Sequence, residues 1–301
     1  MRTLIEKRNE KEARLIRMYG EYGEVTVPEE EEGCRITEIG AYCFSEKPPQ
    51  GIEERTDTFS RRPLCGTFLE KVTIPDGVDA LGDYAFYGCR NLRELTIGSD
   101  LRRIGNGAFM NCTNLKRLNI RGSVREKTGL RRILAQLREE ILVSFIGPEK
   151  EEARILFPGF TESYEALEPA HIFGLHIEGE GKRAREQFRE DVFDPAGYDK
   201  VFAKACSEEE PFTLLRMAAC RLQFPVGLSE EAKNRYLEYF RAHEEAVMQE
   251  IIDRRLQEEL VFLLESGLIS ADTRRFAIRR ASAAGYLEGN FLLITRGNHA
   301  E

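Results

Sequence analysis

"VTIPDGVDALGDYAFYGCRNLRE" (residues 72–94) runs without a gap into "LTIGSDLRRIGNGAFMNCTNLKR" (95–117) and then into the opening of a third copy, "LNIRGS" (118–123). Val72, Leu95 and Leu118 correspond, as do Ile74, Ile97 and Ile120, while Phe86 and Cys89 return 23 positions later as Phe109 and Cys112. A period of roughly 20 to 50 residues marks a stacked repeat, in which no unit can bury its apolar side alone and each packs on its neighbours. The triplets Val-Thr-Ile, Leu-Thr-Ile and Leu-Asn-Ile predict a short strand, with its first and third side chains inward and Thr73, Thr96 and Asn119 outward. Stacked, these strands make a narrow parallel sheet. Gly82 and Gly105 are expected to permit a backbone bend, after which Ala-Phe places one small and one large group inside. Cys89 and Cys112 are expected to stack in that same interior. A looser copy, "VTVPEEEEGCRITEIGAYCF" (25–44), lies upstream, with residues 45–68 inserted between it and the regular array.

The run "NLRELTIGSDLRRIGNGAFMNC" resembles the BspA-like leucine-rich repeats, in which an I-P strand step, an I-G turn and an A-F-x-x-C run recur about every 23 residues. The likeness covers about residues 12–122, although the strand-step proline (Pro28, Pro75) becomes Gly98 and then Arg121. The resemblance implies a protein-binding or surface-adhesive role.

Repeat arrays expose apolar ends that need covers. "ARLIRMYGEYGEVTVP" (13–28) is expected to cap the start as a hairpin turning at Gly20 to Gly23. Beyond residue 122, "LRRILAQLREE" is helix-like, "ILVSFIGPEKEEARILFPGF" suggests two strands around a Gly-Pro turn, and "AHIFGLHIEGEGKRAREQF" suggests a strand leading to a glycine-rich turn. From "FDPAGYDKVF" onward the pattern is helical, with Pro211 at a first helical position, Ser229 and Ser270 as N-caps, and Gly267 and Gly285 as C-terminal stops. "ASAAGYLEGNFLLITRG" has some likeness to the second half of an ankyrin repeat, but its Leu-Leu pair stands one residue early and no T-P-L-H occurs, so helical hairpins are expected.

The chain has 301 residues, 42% hydrophobic and 32% charged, which suits a folded protein of about two domains. No apolar run reaches signal-peptide or membrane-span length, so a cytoplasmic address is expected. Seven cysteines, none in a C-x-x-C pair, read as reduced thiols packed as small apolar groups.

The usual chemical signatures are missing: no G-x-S-x-G, no G-x-x-x-x-G-K-[ST] and no H-E-x-x-H. Gly179, Gly181 and Ala184 have the spacing of a dinucleotide-binding turn and Asp199 stands at the matching distance, but the helix-like text around Asp199 favours an ordinary turn. His171 and His176 are five apart, with no third ligand near, so neither a metal nor a cofactor is expected. From Arg90 to Arg132 there are eleven Lys or Arg against three Asp or Glu, in a chain whose formal charge is −8. Such a basic stripe suits an acidic protein, this chain's own acidic flanks or, less well for want of interleaved aromatics, nucleic acid.

The fold expected is therefore α+β. A capped leucine-rich-repeat solenoid (1–122, with the 45–68 insertion) precedes a small α/β connector (123–193) and an all-helical C-terminal domain (194–301). The function expected is non-enzymatic protein recognition on the outward ladders: Lys71, Glu94 and Arg117 in one row, Thr73, Thr96 and Asn119 in the next, then Arg121. Binding of nucleic acid or an acidic partner along residues 90–132, or an enzyme site within 123–193, are the alternatives.

Overall fold

The computed structural model describes residues 1–51, 62–167 and 172–296, arranged as two compact units, Met1–Asp194 and Pro195–Glu301. Residues 52–61 of the expected insertion lie outside the described residues.

The first unit carries β1 (Arg2–Lys7), β2 (Glu12–Gly20), β3 (Glu24–Thr26), β4 (Glu30–Glu31), β5 (Cys34–Ile39), β6 (Arg62–Pro63), β7 (Lys71–Thr73), β8 (Ala80–Leu81) and β9 (Glu94–Gly98). It continues with β10 (Arg103–Ile104), β11 (Arg117–Arg121), α1 (Leu130–Leu134), β12 (Ile141–Ile146), β13 (Glu151–Phe157), β14 (Thr161–Leu167), β15 (Ile172–Glu178), α2 (Gly181–Arg185), β16 (Phe188–Arg189) and β17 (Val192–Phe193). The chain winds between two sheets. One has the order β13-β12-β11-β9-β7-β3, and the other β1-β2-β5-β8-β10 with β4 and β6 at its margins. In the first, β3, β7, β9, β11 and β12 are parallel and β13 closes antiparallel.

The interior forms by repetition. Val25, Val72, Leu95, Leu118 and Val143 share one register position across five strands, and all are buried. Phe44, Phe86 and Phe109 stack at 5.0 and 5.4 Å between ring centres, with planes within 15° of parallel. The Cys89 thiol donates to the Phe44 carbonyl and the Cys112 thiol to the Phe86 carbonyl, both at 3.1 Å, so each cysteine ties its coil to the phenylalanine of the coil before. Burial pushes the Cys43 and Cys89 thiols well above the usual range, as expected of thiols that act as packing. On the outer side of the turns Asn91 and Asn114 donate to the Thr67 and Arg90 carbonyls at 2.7 Å, again one coil back.

Stacking also joins the turns. The amides of Tyr42, Phe44 and Glu46 donate to Asp83, Ala85 and Tyr87, and those of Tyr84, Phe86 and Gly88 donate to Asn106, Ala108 and Met110. At the start of the stack the carbonyls of Cys43 and Ser45 have no earlier coil to donate to them. Arg17, on β2 and almost fully buried, supplies the donors, reaching the carbonyls of Tyr42, Cys43 and Ser45 at 2.9–3.1 Å. At the other end Gln136 accepts from the Phe109 amide at 3.2 Å and donates to the Gly105 carbonyl at 3.0 Å. An arginine thus covers the carbonyl end and a glutamine the amide end.

Three expectations change. The start is capped by a β1–β2 hairpin, whereas Gly20 to Gly23 carries the chain from one sheet to the other: β2 pairs with β1 and β5, and β3 pairs with β7. Gly82 and Gly105 do not have left-handed φ; a Cβ there would lie 2.4 Å from the Ala41 nitrogen and 2.5 Å from the Asp83 nitrogen, so close approach of the previous coil requires glycine. The left-handed position comes two residues later, at Tyr42, Tyr84 and Gly107 (φ 58°, 55° and 59°). Lastly, β12 and β13 of the expected connector are hydrogen-bonded onto the repeat sheet, since "ILVSFI" offers Val143 and Phe145 to the same interior.

The second unit contains α3 (Pro195–Glu208), α4 (Pro211–Gln223), α5 (Glu230–Ala242), α6 (Glu244–Asp253), α7 (Gln257–Glu265), α8 (Ala271–Ala283) and α9 (Leu287–Thr295). Ser229 and Ser270 cap α5 and α8 by accepting from Ala232 and Thr273 amides, both at 3.2 Å, and Gly267 and Gly285 are left-handed stops. Buried Asp199 joins α3 to α4 and α5: it accepts two bonds from buried Arg221 (2.7 and 3.0 Å) and one from the Tyr236 hydroxyl (2.8 Å).

Candidate partner-binding face

The strand alternation that buries the valine and leucine row turns its neighbours outward. One outward row runs Glu24, Lys71, Glu94, Arg117, Leu142, the next Thr26, Thr73, Thr96, Asn119, Ser144, and a third Gly98, Arg121, Ile146. All seven residues chosen from sequence therefore sit on one face, in register. Charge alternates along the first row from Glu24 to Arg117, the favourable order for directly opposed side chains.

Most of these groups are held by one another. Lys71 pairs with Glu94 at 2.9 Å, and Asn119 donates to the Glu94 carboxylate at 3.0 Å and the Thr96 hydroxyl at 3.3 Å. Arg121 reaches across two coils to Asp76 at 2.9 Å and to the Ile74 carbonyl. Gly98 makes that reach possible: a Cβ there would lie 2.6 Å from the Asp76 carboxylate. The replacement of the strand-step proline by Gly98 and Arg121 is thus one linked change.

The face continues onto residues that the sequence did not indicate. Arg154 on β13 faces Ser144 and binds Glu151 through two bonds of 2.7 and 2.9 Å. Burial tends to raise the Glu151 pKa, but the bonds from Arg154 and Ser144 outweigh it and hold the carboxyl below its usual range. Glu24 and Thr26 had a signal in "EVTV", which matches "KVTI", whereas "ILVSFI" lacks the polar alternation and hid Leu142 and Ser144. Among the described residues, the cations on this face are Lys71, Arg117, Arg121 and Arg154, and of these only Arg117 is exposed without an ion pair.

Six of the eleven cations of the basic stripe are paired within the unit. Arg93 pairs with Glu70, Arg103 with Asp79 (2.6 Å), Lys116 with Glu139 (3.7 Å), Arg121 with Asp76, Lys127 with Glu190 (3.3 Å) and Arg131 with Asp191 (3.1 Å). The glycine-rich turn resolves as an ordinary one: among the described residues β15 pairs only antiparallel with β14, α2 is five residues long, and Gly181 is required because a Cβ would lie 2.2 Å from the Pro158 carbonyl. Asp199 is engaged by Arg221 in the helical core. His176 lies near Glu178 at 3.6 Å, while His171 is outside the described residues. Among the described residues there is no group of three or more His, Cys, Asp or Glu arranged to hold a metal, and no helix long and apolar enough to cross a membrane.

Coils stacked on shared phenylalanine and leucine rows, with an open polar sheet face, define a leucine-rich-repeat solenoid. Residues 57–128, a little under a quarter of the chain, match the family described as BspA type leucine rich repeat region (6 copies), and the array is of that type. No curated protein and no solved structure matches the chain.

Proposed function

We propose that the first unit is a protein-recognition module whose partner rests on the face formed by Lys71, Thr73, Glu94, Thr96, Arg117, Asn119 and Arg121. Leucine-rich repeats generally mediate protein–protein interaction. The observation that carries the reading for this chain is the outward ladder itself. Five parallel strands hold polar groups in fixed positions, most ordered by each other, with Arg117 left free to meet a carboxylate. Side chains already ordered lose little entropy on binding, which favours affinity.

The size of the face constrains the footprint. Six strands about 4.8 Å apart and about 17 Å long offer on the order of 400 Å², about half of what one partner of a stable complex contributes. A partner must also cover the adjoining groove lined by Glu70, Asn91, Arg93, Asn114 and Lys116, which immediately precedes the strands. With six of the eleven stripe cations paired inside the unit, this footprint suits a protein surface better than a phosphate backbone. The reading assigns no catalytic residue.

A photo-crosslinking residue placed at Thr96, compared with one at Asp83 on the turn side, tests the assignment in extract from the source cells. Adducts at Thr96 and none at Asp83 support the face. Equal adducts, or adducts at Asp83 alone, would remove it.

A further inference from the structure

The second unit contains a repeat of its own. Arg255 and Gly285, 30 residues apart, both take left-handed φ (55° and 63°), and each is followed by the residue that enters a helix, Leu256 for α7 and Tyr286 for α9. The hairpin α8–α9 packs on the hairpin α6–α7, α8 against α6 and α9 against α7. Polar ties fix the first contact: Thr273 donates to Glu244 at 2.7 Å and Arg280 binds Asp253 through two bonds of 2.5 and 2.8 Å. Within the second hairpin, Arg274 holds the Leu293 carbonyl and Asn290 donates to Ser282 at 2.9 Å.

These contacts orient both helices. On α9 the buried residues are Gly289, Leu292 and Leu293, and the helical periodicity puts Leu287, Phe291 and Ile294 on the opposite face, 80%, 66% and 53% exposed. On α8 the same reasoning places Arg275 and Arg279 away from α6. The far side of the hairpin therefore presents an apolar stripe beside a basic edge. Arg275 is matched only by Asp272 on its own helix, and Arg279 has no ion pair among the described residues.

We infer that this side of α8–α9 is a docking surface for an amphipathic helix of a partner protein, with an apolar stripe for Leu287, Phe291 and Ile294 and acidic residues toward Arg275 and Arg279. Two observations select that occupant. One hairpin back, helices already cover α6 and α7 in this way, so the surface continues an existing helix-on-helix interface. A second copy fits less well: α8 against its copy opposes arginines, and α8 against a copy of α9 brings no carboxylate row to Arg275 and Arg279 and sets guanidinium groups on the aliphatic Leu287 and Ile294. An acidic helix satisfies both rows.

The test uses the full chain and two fluorescent helical peptides with the same leucine stripe, one flanked by Glu and its twin by Lys. Fluorescence polarisation should show the Glu peptide binding about tenfold or more tighter than the twin, with Phe291→Glu weakening it by about tenfold or more. Arg279→Glu should shift the preference toward the Lys peptide. Phe291 and Arg279 are exposed, and unchanged circular-dichroism melts confirm that each variant folds. Equal binding of the two peptides, or none, would overturn the inference. So would a dimer in sedimentation that Phe291→Glu disperses, or capture by phosphatidylserine vesicles of the wild type but not that variant.

Discussion

Replacing Arg17 by methionine removes the donors from the carbonyl end of the solenoid while keeping a long, flexible side chain in place. Three carbonyls lose a partner, and those of Cys43 and Ser45 belong to fully buried residues that water cannot reach, whereas Tyr42 is half-buried. An acceptor left unsatisfied in the interior costs about 1–3 kcal/mol, so two cost about 2–6 kcal/mol. Relief from burying a guanidinium returns part of this, leaving an expected loss of about 3 kcal/mol. With a urea dependence of about 2–3 kcal/mol per molar, the midpoint falls by about 1–1.5 M. Urea unfolding read by hydrogen exchange of peptides within residues 13–46 keeps the signal on the first unit. All three bonds leave one guanidinium nitrogen, so Arg17→Lys, whose ammonium carries three N–H donors, should recover much of the loss. A midpoint for Arg17→Met within about 0.3 M of wild type would refute the cap.

At the amide end, Gln136→Leu should cost about 1–2 kcal/mol, with faster exchange of the Phe109 amide as its local signature; unchanged exchange there would show that Gln136 is not the acceptor. In the helical unit, Asp199→Asn leaves Arg221 buried beside a neutral partner and should cost about 3–5 kcal/mol. Exchange protection in the β-sheets should not follow it, and a parallel loss there would contradict two separately folded units. Thiol labelling of the native protein should modify exposed Cys206 first and spare buried Cys34, Cys43, Cys89, Cys112 and Cys220 until urea is added. Because partial burial raises the Cys206 pKa, its rate should still be climbing beyond the ordinary thiol range of about pH 8–9; early modification of Cys89 or Cys112 would contradict the packed interior.

What could be read from sequence was whatever repeats. The rows led by Val72 and Ile74 and the phenylalanine stack follow from one period, and so do the outward positions of Thr73 and Thr96. The second sheet was hidden because its repeat strands are the two-residue pairs Ala80–Leu81 and Arg103–Ile104, too short to show alternation. Nothing within "ARLIRMYG" marks Arg17 as a cap, since the carbonyls that need it lie 25 to 28 residues away. Gln136 was hidden for the same reason. Gly82 drew attention for freedom of φ, yet its requirement is the approach of Ala41, which no local pattern encodes. On the face itself, Lys71, Glu94 and Arg117 were found from their spacing, whereas the reach of Arg121 to Asp76 depends on an absent side chain at Gly98.

The most direct measurement is a quantitative comparison of what wild-type protein and Arg117→Glu retain from extract of the source cells. Arg117 is exposed and unpaired, so the variant should stay folded, its urea midpoint lowered only slightly by the like charge set opposite Glu94, while losing the partner held through the sheet face. Undiminished recovery of every wild-type partner by that folded variant would contradict recognition on this face.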